Sequence, residues 1–172
     1  MMEVPALPEL RFREPQVEDA AAMWRIVQDS GVLDPNSPYC YLLLCRDFAA
    51  TCAVAEVGTQ AIGFVTAYVP PNQPDTLFVW QIGVTEAFRN KRIAALLLAQ
   101  VLGREACRGV THIETTIAPS NQASMALFEG LARPKGAVMT EVPGFGTELF
   151  PEIGHEPERR YRIGPLSAPS AG

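Results

Sequence analysis

Arg89, Lys91 and Arg92 gather three cations into four residues, between an apolar run that ends at Val84 and a second one that opens at Ile93. A turn of this kind at the start of a helix makes an anion site. The first N–H groups of a helix have no partner within it, and the helix dipole adds partial positive charge, which together suit a pyrophosphate. A solvated basic turn is the plainer reading of the same residues. Other chemistries find less support. The two histidines, His112 and His155, and the four cysteines, Cys40, Cys45, Cys52 and Cys107, lack metal-ligand spacing, so no metal is expected. The cysteines read as reduced, buried thiols. No phosphate-binding G-x-x-x-x-G-K-S/T loop, no G-x-G-x-x-G and no G-x-S-x-G elbow occurs.

The elements that must position the basic turn follow from periodicity. A short strand at 10–13 precedes a helix at 14–30 whose Val17, Ala20, Ala21, Trp24 and Val27 share one face. After the turn-rich Asp34-Pro35-Asn36-Ser37-Pro38, a second helix is expected at 38–48. Strands at 51–57 and 61–69 meet at Gly58. The run 76–84 is apolar on both faces, with Phe78, Trp80, Ile82 and Val84 on one and Leu77 and Val79 on the other, as in a central strand covered on both sides. A helix at 91–108, a strand at 111–117, a helix at 119–132 and strands near 137–142 and 159–163 complete the order. An antiparallel meander passing into a strand-helix-strand unit implies an α/β fold, a mixed sheet with helices on both faces.

The chain of 172 residues suits one domain at 10–164, between flexible ends at 1–9 and 165–172. A net charge of −5 argues against nucleic acid as a partner. Met1–Leu10 lacks the basic patch and apolar run of a signal peptide, and no stretch has the length of a membrane span. A cytoplasmic protein with no membrane partner is expected.

Arg89-Asn90-Lys91-Arg92-Ile93-Ala94, set between strand and helix, resembles the coenzyme A site of the GNAT family of N-acetyltransferases, whose usual pattern is Q/R-x-x-G-x-G/A. Arg89 and Ala94 match its ends. Arg92 stands where the family has glycine, and its amide still suits a phosphate if its φ is negative. A closer resemblance is to the L-2,4-diaminobutyric acid acetyltransferase family. It is carried by Asp34–Tyr41, Phe78–Val84, Thr115–Asn121, Leu127-Phe128, Phe150, Gly154-His155-Glu156 and Tyr161-Arg162-Ile163.

These resemblances imply a mostly antiparallel sheet of about seven strands, splayed between the fourth and the fifth. They imply acetyl-CoA as cosubstrate, a small amine as acceptor, a place in synthesis of the compatible solute ectoine, and a homodimer. Backbone at Ile82, Gly83 and Val84 would meet the thioester arm, one amide serving as oxyanion donor. Arg89, Asn90, Lys91, Arg92, Ile93 and Ala94 would hold phosphates, with Asn121 on the cofactor side or as a helix cap.

An alkylammonium must lose a proton before it attacks, and a carboxylate can take it. The candidates are Glu158, Glu114 and Asp34; Glu114 reads equally as one half of a cross-strand ion pair. Asp34 and Glu158 suit the substrate's amines, Trp80 would wall the pocket, and Tyr39, Thr116 and His155 are further pocket candidates. Phe128 occupies the position where many family members carry an acidic tyrosine. Another amine as acceptor, or a domain that binds acyl-CoA without catalysis, remain alternatives.

Overall fold

A left-handed backbone at two consecutive alternate positions, Asn90 and Arg92 (φ 61° at each), fixes where the central strand gives way to a helix. The computed structural model describes residues 9–166, so the expected flexible ends fall almost wholly outside the described residues. Seven strands run in chain order: β1 (Leu10–Arg13), β2 (Ala53–Val57), β3 (Gln60–Tyr68), β4 (Thr76–Val84), β5 (His112–Ile117), β6 (Val138–Phe145) and β7 (Glu158–Gly164). Four helices, α1 (Ala20–Ser30), α2 (Pro38–Asp47), α3 (Ile93–Leu102) and α4 (Gln122–Ala132), cover the two faces.

The strands form one sheet in the order β1-β2-β3-β4-β5-β7-β6. All neighbours are antiparallel except β4 and β5. That parallel pair is short: it joins Thr76–Val79 to His112–Thr115 and then ends, while β4 runs on to Val84 and β5 to Ile117. The splay expected between the fourth and fifth strands is therefore present.

Its cause lies in the register of β3. Thr66 faces Gln81 but Ala67 faces Val79, so Trp80 is one extra residue on β4 with no partner in β3. Such a bulge bends its strand and raises the local twist. It also inverts the pleat. Leu77 and Val79 lie in the core beneath α3 and α4, and beyond the bulge Ile82 and Val84 join that same core. Trp80 packs with the core beneath α1 and α2, where a Cβ on Gly83 would strike Phe64 and Ile26. The alternation expected along this strand is thus corrected: Ile82 and Val84 belong to the face of Leu77 and Val79.

Local chemistry sets the helix ends. Pro38 occupies the first turn of α2, as expected, and Ser37 Oγ accepts the Tyr39 N–H as its cap. α1 starts later than expected because Asp19 accepts the Gln16 N–H at 2.7 Å and holds 17–19 as a 3-10 turn. α3 is shorter than the expected 91–108. The left-handed Arg92 delays it to Ile93, Gly103 ends it, and a separate 3-10 turn follows at Glu105–Cys107. Leu97, Leu98 and Val101 on α3 are fully buried, each contributing about 2 kcal/mol of apolar burial. β6 extends through Gly144 and Phe145, which the sequence places in a loop. A Cβ on Gly144 would lie 2.4 Å from the Glu158 carbonyl oxygen, so only glycine lets the β6 backbone approach β7 there.

Candidate active site

Where β4 and β5 part, the molecule opens a cavity of about 560 Å3 that reaches from one face of the sheet to the other. Ile82, Asn121, Ser124 and Phe128 line it on the side of α4, and Thr116, beside Glu158, lines it from the other face of β5. Asp34, Trp80, Phe78, Phe150 and Glu158 line the opposite side, under the segments that follow α1 and β6.

The edge of β4 inside the gap carries free donors. The Thr85 N–H bonds the Ile62 carbonyl and the Gln81 N–H bonds Thr66 Oγ1, both toward β3. Peptide groups alternate along a strand, so the Ile82 and Val84 amides point the other way, into the gap. Gly83 belongs to the β3 side and is no donor there. Below this edge lies the start of α3. The first bond into the helix is Leu96 N–H to the Arg92 carbonyl, at 3.0 Å, which leaves the amides of Ile93 and Ala94 outside the helical ladder. Arg89, Asn90, Lys91 and Arg92 surround them on the surface. Arg89 Nε donates to the Val84 carbonyl at 3.3 Å, and Lys91 Nζ sits 5.0 Å from the centroid of Phe88. Arg92 takes φ 61°, so the negative φ on which its own amide's fit to a phosphate is conditional is absent, and it adopts the conformation for which the usual glycine is suited. Asn121 Oδ1 accepts the Ser124 N–H at 3.1 Å as the cap of α4, and the residue also lines the cavity.

The three candidate acids separate. Glu114 is buried on β5 and does not line the cavity; Oε1 takes Arg162 Nη1 at 2.9 Å and Oε2 faces Arg160 Nη1 at 3.8 Å. As a candidate base it is corrected to a cross-strand ion-pair residue: a carboxylate fixed between two guanidinium groups has no free edge for an incoming proton. Glu158, at the start of β7, lines the cavity. Burial pushes its carboxyl above the ordinary glutamate value; a hydrogen bond with Thr116 pulls it partly back, and the neighbouring Asp34 charge pushes it up again. Asp34 lines the cavity from the loop after α1. Its backbone carbonyl accepts Gln81 Nε2 at 2.9 Å, and Gln81 Oε1 in turn accepts the Tyr41 hydroxyl at 2.8 Å.

His155 stands one layer behind the wall. Its ring stacks on Phe150 at 3.8 Å and 8°, Nε2 lies 3.4 Å from Asp34 Oδ2, and Nδ1 lies 2.6 Å from the Glu156 carbonyl. The Glu156 carbonyl foremost, with the Asp34 charge beside it, raises the imidazole's pKa above 6.5. Tyr39 is 64% exposed and lies outside the cavity lining, so its place in the pocket is corrected: it sits in the first turn of α2, facing solvent. Gln81, Phe78, Tyr68, Phe145 and Phe150 line the cavity without having been named as site candidates. Gln81 alone had a readable signal, as an amide inside an otherwise apolar strand.

None of the four cysteines lines the cavity, and burial pushes the Cys45 thiol up to about 12 and that of Cys52 up to about 11. Among the described residues no helix is long and apolar enough to cross a membrane.

This geometry matches known proteins. The model of the acetyltransferase (GNAT) family matches residues 12–132. The chain belongs to the GNAT acetyltransferases. Within that family it is 51% identical to an L-2,4-diaminobutyric acid acetyltransferase of Streptomyces coelicolor, over 95% of this chain and 97% of that one. It is 50% identical to one of Nocardia farcinica, over 91% and 80%. Among solved structures, the diaminobutyrate acetyltransferase EctA of Paenibacillus lautus, in complex with L-2,4-diaminobutyric acid and coenzyme A, superposes with a TM-score of 0.89. The two are 42% identical, over 94% of this chain and 98% of that one. Ard1 of Thermoplasma volcanium, 17% identical with a TM-score of 0.70 over 93% of this chain and 99% of that one, shares the GNAT fold.

Proposed function

We propose that the chain transfers the acetyl group of acetyl-CoA to the γ (N4) amine of L-2,4-diaminobutyrate, giving N4-acetyl-L-2,4-diaminobutyrate and CoA, a step of ectoine synthesis. The observation that carries this reading is the cavity at the β4–β5 gap: two carboxylates, Asp34 and Glu158, and an aromatic wall on one side, free strand amides on the other. It suits a small, doubly cationic acceptor facing a thioester. The residues also fit the cosubstrate. An open strand edge can pair with the amides of a pantetheine arm, and the free amides and cations at the head of α3 suit its phosphates.

In this mechanism Glu158 takes one proton from the γ-ammonium, directly or through one water. Its raised pKa brings it nearer to neutrality than an ordinary glutamate, which favours that transfer. The amine then attacks the thioester carbonyl carbon. The carbonyl oxygen becomes negative and is held by the Ile82 or Val84 N–H. As the C–N bond completes, the C–S bond breaks, the nitrogen loses its second proton and the thiolate is protonated to CoA. Thiolate needs little help to leave, because free thiols ionise near pH 8.5. A buried phenyl at Phe128 is consistent with that. Direct attack also accords with the four cysteines lying outside the cavity. The enzyme is proposed to act in the cytoplasm as a homodimer, on the family resemblance; light scattering on the purified chain tests the second point.

The test is thiol release from acetyl-CoA with L-2,4-diaminobutyrate, ornithine, lysine, spermidine and a short peptide compared. Strong preference for diaminobutyrate supports the reading. Turnover of another amine alone keeps the reaction and rejects the substrate; cofactor binding without turnover of any amine rejects catalysis.

A further inference from the structure

The gap between β4 and β5 closes to a corner at one end. Val79 and Thr115 are the last pair of the parallel register, so they stand where the two strands begin to part. Thr115 Oγ1 donates to the Val79 carbonyl at 3.0 Å and bridges the strands at that point. Its hydroxyl is thereby engaged with the strand backbone. Phe128, on α4, belongs to the same apolar core as Val79. All three residues line the cavity, yet each is at most 3% exposed. The polar lining lies elsewhere. Ser124 and Asn121 stand about one and two turns earlier on α4, and Asp34 and Glu158 line the opposite side. The corner is therefore apolar, closed to water and walled by a phenyl ring.

The order of features along β4 says what meets this corner. The free amides and cations at the head of α3 follow the end of β4, the Val84 and Ile82 amides come before them in the strand, and the corner at Val79 lies further back. A pantetheine arm that starts at the head of α3 and pairs with those amides runs toward the corner. The acceptor amine arrives from the side of Glu158, which leaves the acyl chain directed at Val79 and Phe128. Resting on the acetyl-CoA reading, we infer that Val79, Thr115 and Phe128 form an acyl-length stop, which seats the methyl of an acetyl group and turns away longer acyl chains, with Phe128 the specificity-determining side chain. Thr115 fixes the depth of the seat by holding β4 and β5 together at its floor. A close-packed corner takes a methyl group, but a further methylene has to displace the phenyl ring or a strand. Phe128, which offers no proton, has a steric task instead.

Binding of thioesters without any amine tests the stop apart from turnover. In calorimetric titration of the unaltered protein, the Kd for propionyl-CoA should exceed that for acetyl-CoA by roughly 10- to 200-fold, the range over which an apolar pocket discriminates one methylene. Butyryl-CoA should bind more weakly still. Phe128→Leu shortens the wall and should bring propionyl-CoA to within about 3-fold of acetyl-CoA, while the Kd for CoA itself, which has no acyl chain, changes less than about 3-fold. Val79→Ala opens the corner from the strand side and should relax the same ratio, so the test does not hang on one variant folding. Ile163→Val, fully buried in the same core but outside the cavity lining, should lose stability and keep the ratio. Equal affinity of the unaltered protein for the three thioesters, or an acetyl preference unchanged in both corner variants, would overturn the inference. Failure to bind either CoA or acetyl-CoA would instead remove the cosubstrate reading on which it rests. The binding ratios need no acceptor, so rejection of diaminobutyrate as substrate would leave the test decisive.

Discussion

Glu114 Oε1 and Arg162 Nη1 lie 2.9 Å apart, between β5 and β7. The same guanidinium also reaches Thr76 Oγ1 at 2.9 Å on β4. The pair therefore ties together the three strands at the closed end of the gap. Below it the sheet is continuous, and above it the strands part to admit substrates.

Glu114→Gln should consequently lower stability by about 2 kcal/mol. That is less than the loss of a fully buried pair, because both arginines are about one-third exposed and water screens them. Urea unfolding measures the loss. The substrate KM values should stay within about 3-fold of the unaltered protein's, since the side chain does not touch the cavity.

Glu158→Gln should do the reverse. Removing the proton acceptor is expected to lower kcat by roughly 10²- to 10⁴-fold. A carboxyl whose folded-state pKa is raised weakens the fold when ionised and ceases to do so as the pH falls through that pKa. The variant should therefore have a higher Tm than the unaltered protein at neutral pH. In the unaltered protein kcat/KM should fall on the acid side through a pKa above the ordinary glutamate value, and calorimetry together with a pH–rate profile checks both signs.

At position 92, glycine and alanine should part company. Both variants lose a cation beside the head of α3, so both should raise the KM for acetyl-CoA several-fold at low salt and less at high salt. Only alanine keeps the strain of φ 61°. Arg92→Gly should be more stable than Arg92→Ala by about 1 kcal/mol, read from thermal or denaturant unfolding.

Much of this was legible in the chain. The order of the elements, Pro38 in the first turn of α2 and the basic turn ahead of α3 are local features, and periodicity and turn chemistry announce them. The splay and its place between the fourth and fifth strands came from family resemblance. What stayed hidden was non-local. The bulge at Trp80 exists only in the register of β4 against β3, so the faces of Ile82 and Val84 were read inverted. The tie of Glu114 to Arg162 depends on two strands distant in sequence. Arg92 is an arginine in a glycine's conformation, which its side chain does not signal. His155 meets Asp34 only after the segment between β6 and β7 has folded back across the sheet.

The most direct measurement of the central claim is the identity of the product. Purified protein, acetyl-CoA and L-2,4-diaminobutyrate would be incubated, and the acetylated nitrogen located by NMR. The account predicts acetyl on N4, with one CoA released for each acetyl group transferred. Acetyl chiefly on N2, or CoA release without an acetylated diaminobutyrate, would contradict it.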